Sequence, residues 1–375
     1  MESYLSLIFM GVAGNSQLPE TGKRTVSFIV IKNEQTSMTT QNRRKNSDIP
    51  LTEATPEQAI SYIKAWIDNA TNDAKAAEIL HSNMIFNLSC YHLEQAVEKI
   101  SKAFGFIMEY ITPEDAATKI KHQPLKLIHV AAKPHLSCAK GRDSYQLRFY
   151  RAVLSELIGV LSRIYAGNNS LTDEEIKKIF KLSSKEMESY FNQGYDYLQK
   201  ISRGINIEEQ YPIFNAEMNK TKDMHKTVPT VLRVLHADNE FKELTKLAVK
   251  DEIHETFDEI GVTKDMFPSN YEESEQELLD TIDSQDFIND IHEFILSIHI
   301  WNYIKCLSSL TNNIEINTRY PELKTSTNPI EIYTKNHVIV RNMRELIAHT
   351  NNLISLVSEL FEIKYKDGKI SRGDC

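Results

Sequence analysis

The chain predicts an all-α fold: one large, bundle-like domain of many helices, preceded by a short N-terminal segment that is extended or disordered. Three observations carry this. Glycine and proline are sparse, 12 and 11 in 375 residues, too few for the turns of a loop-rich β fold. Helix-starting patterns recur along the chain, in which a Ser or Thr precedes an acidic or amide residue by three. Apolar residues return at spacings of three and four, the period of one helical face.

The elements follow in order. Residues 1–50 read as an N-terminal segment and polar linker, and 51–375 as the main helical domain. YLSLIFMGVAG, at 4–14, is apolar but too short to span a bilayer, and Glu2 stands where a signal peptide carries positive charge. LPETG, at 18–22, spells a sortase sorting signal at the wrong end of the chain. Met38 offers an alternative start, which would make everything before it incidental. Thr55-Pro-Glu-Gln58 then combines an N-cap, Pro at N1 and Gln at N3, and opens a helix through Ile60, Ile63 and Trp66. A long, partly apolar stretch over 76–110 follows, and Thr112-Pro113-Glu114 starts another helix in the same way.

PLKLIHVAA, at 124–132, is the best strand candidate, because a short apolar run can be buried on both faces. Asp143 caps the clearest helix, with Leu147, Tyr150, Leu154, Leu157, Leu161 and Ile164 on one face and Gly167 closing it. Capping boxes recur at Thr172–Glu175 and Ser183–Glu186. Helices are expected over 229–248, 250–260, 272–283, 286–310 and 331–363, with no internal repeat.

Charge bounds the partners. A net charge of −9 disfavours a non-specific nucleic-acid binder, and no DNA partner is expected. Fifteen carboxylates lie between Asp251 and Glu293, with Lys264 the only Lys or Arg among them, the composition of a solvated helical face and loop. The four cysteines, Cys90, Cys138, Cys306 and Cys375, show no CxxC spacing, so neither a zinc site nor a disulfide framework is expected. Free thiols fit a reducing compartment, and a cytoplasmic location without a membrane span is the expectation.

Three stretches carry candidate chemistry. In ILSIHIWNYIKCL, at 295–307, His299 has apolar residues on almost every side. A helix of that pattern is buried all round, so its histidine should be neutral, with a ring nitrogen needing a donor or a metal. SCAKGRDS, at 137–144, sets Lys140 and Arg142 before a helix N-terminus, an arrangement suited to an anion. It has the cysteine of a C-x5-R phosphatase loop, but Ser144 stands where the arginine must be.

The third stretch is RELIAH, Arg344 to His349. Its R-x4-H spacing is similar to the core of the HEPN ribonuclease signature, in which Arg and His from helical bundles cleave RNA through attack of the 2′-hydroxyl. The same segment has a plainer reading. Arg341, Glu345 and His349 fall at i, i+4 and i+8 and form one polar stripe able to pair along a surface, while Met343, Leu346, Ile347, Ile354 and Val357 face the core. Glu78-x-x-His81 and Asp251-x-x-His254 read as surface ion pairs. No GxGxxG, P-loop, GxSxG or HExxH motif is present.

ILSIHIWNYIKCL resembles the helix that carries the proximal haem histidine in the indoleamine dioxygenase superfamily, including its aminopyrrolnitrin-pathway members. LIHVAAKP (127–134), Ser144-Tyr145 and the helix to Ile164 are similar to the segment lining that family's distal pocket, and VPTVLRVL (228–235) to a later apolar helix. The resemblance implies haem as cofactor, His299 as its iron ligand, and Arg142, Ser144 or Tyr145 near the carboxylate of a small aromatic, indole-type substrate. An oxygenase is thus the sharpest expectation. Two others stand beside it: a non-enzymatic helical scaffold or effector that binds a protein partner, and a HEPN-type ribonuclease.

Overall fold

A computed structural model describes residues 55–131, 207–237, 285–312 and 328–365, together with isolated positions between 186 and 199 and at 243, 246, 276 and 314. Among these residues every regular element is helical, as the sequence predicts. The expected N-terminal segment and the helix over 147–164 lie outside them.

Helix α1, Pro56–Ser82, starts where its capping box stands: Gln58 N donates to Thr55 Oγ1 at 3.3 Å, and Thr55 N to Gln58 Oε1 at 2.9 Å. It ends at Asn83, and Met84 turns the chain in the left-handed region at φ 60°. Helix α2, Phe86–Ile107, returns along α1 in the most extensive helix pairing among the described residues. Ala70, Ala74 and Ala77 of α1 are wholly buried or nearly so, and such small residues let two helices approach closely.

The end of α2 is held by a close approach. A Cβ at Gly105 would stand 2.8 Å from the Ile111 side chain and 2.9 Å from Leu127 Cδ1, so any larger residue requires those side chains to shift. The Gly105 carbonyl accepts from Tyr110 N at 2.9 Å as the chain leaves the helix. Thr112 caps the single turn α3, Pro113–Asp115, with a second reciprocal box, and a π-helical turn, Ala116–Ile120, follows.

The expected strand at 124–132 is helical instead, over 126–131. Leu125 and Leu127 are fully buried, so the apolar run is core as expected. Its backbone is satisfied locally, with Lys126 N bonding Gln123 O at 2.9 Å and Leu127 N bonding Pro124 O at 3.0 Å. A strand would have needed a partner for those groups.

Helices α4, Ile207–His225, and α5, Val228–Ala237, come next, then α6, Gln285–Thr311. Helix α6 is buried nearly all round from Phe294 to Thr311 and packs against α2, α4 and α5. The last helix expected, 331–363, is divided: α7 is Pro329–Ile332, α8 is Val338–Arg341, and α9 is Met343–Tyr365. Asn328 caps α7 and His337 caps α8, whose Nδ1 accepts from Ile339 N at 3.3 Å. Helix α9 lays Met343, Leu346, Ile347, Leu353, Ile354, Val357 and Leu360 against α1, α2 and α6, the face expected for it.

Aromatic rings join α6 to the hairpin. Trp301 meets Phe104 edge-on at 5.1 Å and stacks on Tyr110 at 5.8 Å. No helix among the described residues is long and apolar enough to cross a membrane. Replacing Gly105 by alanine should cost about 1–3 kcal/mol of stability, the usual range for overpacking, and urea unfolding measures it. An unchanged midpoint would show that Ile111 and Leu127 yield freely.

Candidate functional site

The polar stripe is exposed at Arg341 and Glu345 and covered at His349. It docks along α4. Arg341, which ends α8 on the same line, pairs its Nη2 with Glu208 Oε2 at 2.8 Å. Glu345, one turn on, accepts from Tyr211 Oη at 2.8 Å and from Asn215 Nδ2 at 3.0 Å. His349, a further turn on, has its Nε2 at 2.9 Å from Asn215 Oδ1. The stripe at i, i+4 and i+8 thus meets α4 residues at i, i+3 and i+7, which is how two helical faces match along their length.

Hydrogen-bond chemistry orders this seam. A carboxylate only accepts, so the Asn215 amide must turn its NH₂ toward Glu345 and its oxygen toward His349. The oxygen in turn requires a proton on His349 Nε2. Nδ1 is buried and has no hydrogen-bond partner. Burial holds the His349 imidazole below its usual pKa and the Lys222 cation adds to this, against the opposing pull of Glu345. The bonds from Asn215 and Tyr211 hold the Glu345 carboxyl low. The seam passes from an exposed edge at Glu345 through half-buried Asn215 to His349, only 2% exposed.

Arg344 stands apart. It is exposed on α9, whereas His349 is covered. Five residues of helix separate them by about 140° around the axis, so this conformation does not bring the two together.

His299 lies on α6, 1% exposed, as its apolar setting predicts. Its ring meets that of His225 edge-on, with centroids 5.6 Å apart. Beyond it, Glu359 of α9 accepts from His292 Nε2 at 2.9 Å and lies 3.7 Å from His225 Nε2. Burial first, then His225, lowers the His299 pKa to about 4, against a small opposing effect of Glu359. His299 is therefore neutral near pH 7, as expected.

Two charged clusters mark the hairpin. Asp73 of α1 pairs with His92 Nδ1 at 2.8 Å and with Lys99. On α2, Glu98 bonds Lys102 Nζ at 2.6 Å and His122 Nδ1 at 3.2 Å, with the ammonium 5.4 Å from the centre of the Trp66 ring. Glu98 and Lys102 are almost wholly buried, and a buried charge persists only with its partner. His81 does not pair with Glu78; its Nε2 lies 3.1 Å from the Val340 carbonyl of α8. Arg142, Ser144, Tyr145 and the Asp251–His254 pair lie outside the described residues.

A family model of the HEPN domain matches residues 63–113, which is most of α1, all of α2 and the opening of α3. No curated protein and no solved structure matches the chain. The match corrects the resemblance to the indoleamine dioxygenase superfamily, since the family model that matches residues 63–113 is a different one. With it falls the haem-dioxygenase reading that rested on that resemblance. Among the described residues no group of three or more His, Cys, Asp or Glu is arranged to hold a metal. An apolar helix period reports burial, and burial is common to many helical folds, which is why the pattern pointed to the wrong family.

The sequence had marked Arg341, Glu345 and His349 but missed their partners. Glu208, Tyr211 and Asn215 repeat at helical spacing, and that complementary stripe was the signal available.

Acid should test the neutral state of His299. Its folded pKa is depressed from 6.5 to about 4, so the stability it contributes is complete above pH 6.5 and drains as pH falls toward 4, by at most about 1.4 kcal/mol per pH unit. His225, His337 and His349 act in the same direction. Urea unfolding over that window should show a shallower pH slope in His299→Leu than in the parent protein; equal slopes would mean that His299 takes up a proton freely in the fold.

Proposed function

We propose that this protein acts on RNA as a HEPN-type ribonuclease, with Arg344 and His349 handling the phosphodiester. The observation that supports this reading is a conjunction. The HEPN match falls on the α1–α2 hairpin, and the helix packed against both of its arms carries the R-x4-H pair. Neither signal depends on the other.

RNA carries its own nucleophile. An imidazole with a free lone pair accepts the 2′-hydroxyl proton as the O2′–P bond forms. The P–O5′ bond breaks, and the leaving oxygen takes up a proton. The products are a 2′,3′-cyclic phosphate and a 5′-hydroxyl. A guanidinium offsets charge growing on the phosphoryl oxygens through paired N–H donors. Arg344 is exposed and suited to that contact. Lys220 and Lys222 are exposed near the C-terminal end of α4, the helix that borders the seam, which also carries Glu208, Glu209, Glu217 and Asp223.

A second reading, a helical interaction protein in which the stripe only joins α4 to α9, is favoured by one observation: His349 is covered and bonded to Asn215. Cleavage of a single-stranded RNA oligonucleotide decides between them. The ribonuclease reading expects products ending in 2′,3′-cyclic phosphate, with the rate lowered about 100-fold or more in both Arg344→Ala and His349→Gln, and unchanged circular dichroism in each. A purified protein that leaves RNA intact, or variants as active as the parent, would leave the interaction protein standing.

A further inference from the structure

We infer that Asn215 is a cover for His349, and that the imidazole is closed to substrate until this side chain moves aside. The consequence for cleavage rests on the ribonuclease reading above; the cover itself does not.

The inference follows from which nitrogen can be reached. His349 has two. Nδ1 is buried with no hydrogen-bond partner, at a depth where no substrate hydroxyl arrives. Nε2, on the side of the half-buried Asn215 and the exposed Glu345, is occupied by Asn215 Oδ1 at 2.9 Å. That bond does two things at once. It blocks the approach to Nε2, and it requires Nε2 to carry the proton. A protonated nitrogen of a neutral ring cannot take a second proton from a 2′-hydroxyl. In this conformation His349 is therefore unable to act as a base at either atom.

The amide has no alternative orientation while Glu345 is present. Glu345 Oε1 accepts from Asn215 Nδ2 at 3.0 Å, and Tyr211 Oη holds the other carboxylate oxygen at 2.8 Å. A flipped amide would set its oxygen against a carboxylate and its NH₂ against the Nε2 proton. Release therefore requires the side chain to turn away as a whole. Its half-buried position leaves a way out to solvent, while Phe214 and Met218, both fully buried, keep α4 itself in place. An RNA phosphate beside Arg344 would bring negative charge close to Glu345. That repulsion loosens the carboxylate which orients the amide, so substrate itself can favour the open state.

The test reads the cover without RNA and the consequence with it. Diethyl pyrocarbonate acylates an accessible unprotonated imidazole nitrogen. Trypsin releases Glu345–Lys364, in which His349 is the only histidine, and Asp223–Lys226, in which His225 is the only one. In Asn215→Ala the modification rate at His349 should rise about five- to tenfold, the factor set by one neutral hydrogen bond, while His225 on the same helix keeps its rate. RNA cleavage should rise by a similar factor. An unchanged rate at His349 overturns the cover, and so does an equal rise at His225, because the barrier would then be the helix as a whole. Faster modification with no cleavage by either protein sinks the ribonuclease reading and leaves the cover standing. Cleavage that falls in Asn215→Ala, with faster modification, makes Asn215 a positioning residue and overturns the closed-site inference.

Discussion

The burial of α6 on nearly every side is the constraint from which the rest of the structure follows. The stretch from Phe294 to Thr311 has no exposed residue and has to be enclosed, and α2, α4, α5 and α9 each turn a side toward α6. Its polar residues have to be satisfied without water. Ser309 and Thr311 do so by bonding back to the carbonyls of Lys305 and Leu307, at 2.7 and 2.9 Å. Tyr303 reaches across to the Met218 carbonyl of α4 at 3.2 Å, and burial pushes its hydroxyl up to about 12. Asn302 bonds Thr221 on the same helix. These contacts fix the position of α4 along α6, and so fix what α4 can offer to α9.

Helix α9 is the other half of that arrangement. Its apolar face closes the core against α1, α2 and α6, and its polar stripe is left to face α4. The stripe is graded in burial. Arg341 and Glu208 are both more than half exposed and form a surface pair of the kind that contributes little. Asn215 and His349 lie deeper, where an unmet hydrogen bond costs about 1–3 kcal/mol, so the inner end of the seam is held more firmly than the outer. A graded seam of this kind can loosen from its exposed edge inward while the core beneath it stays closed.

Much of the frame was legible in the sequence. Both Thr-Pro boxes start helices where expected, because capping is a local interaction whose partners lie three residues apart. The all-round apolar pattern of 295–307 marked α6 correctly as buried. What was not legible depended on partners distant in the chain. The 124–132 run has the composition of a strand, but which state it takes is decided by whether another strand is there to pair with. The break between α7 and α9 follows from His337 capping a new turn, a role that a histidine seldom takes and that no spacing announces. At the seam, one side could be read from 341–349, while its match at 208–215 lies more than 120 residues away and means something only once the two helices are adjacent.

The two buried histidines show why apolarity alone misassigns function. His299 and His349 are equally hidden, and in both the first cause of the lowered pKa is desolvation. Burial makes an imidazole neutral and thereby gives it a lone pair, but it does not say what the lone pair is for. At His299 the ring of His225 lies edge-on at 5.6 Å, and among the described residues no group of three or more His, Cys, Asp or Glu is arranged to hold a metal. At His349 an ordered sequence of groups, Tyr211 to Glu345 to Asn215, determines which ring nitrogen carries the proton. Burial could be read from the sequence at both histidines, whereas the tautomer at His349 is chosen by Tyr211 and Asn215 of α4 acting with Glu345 of α9, and no spacing along α9 alone displays that.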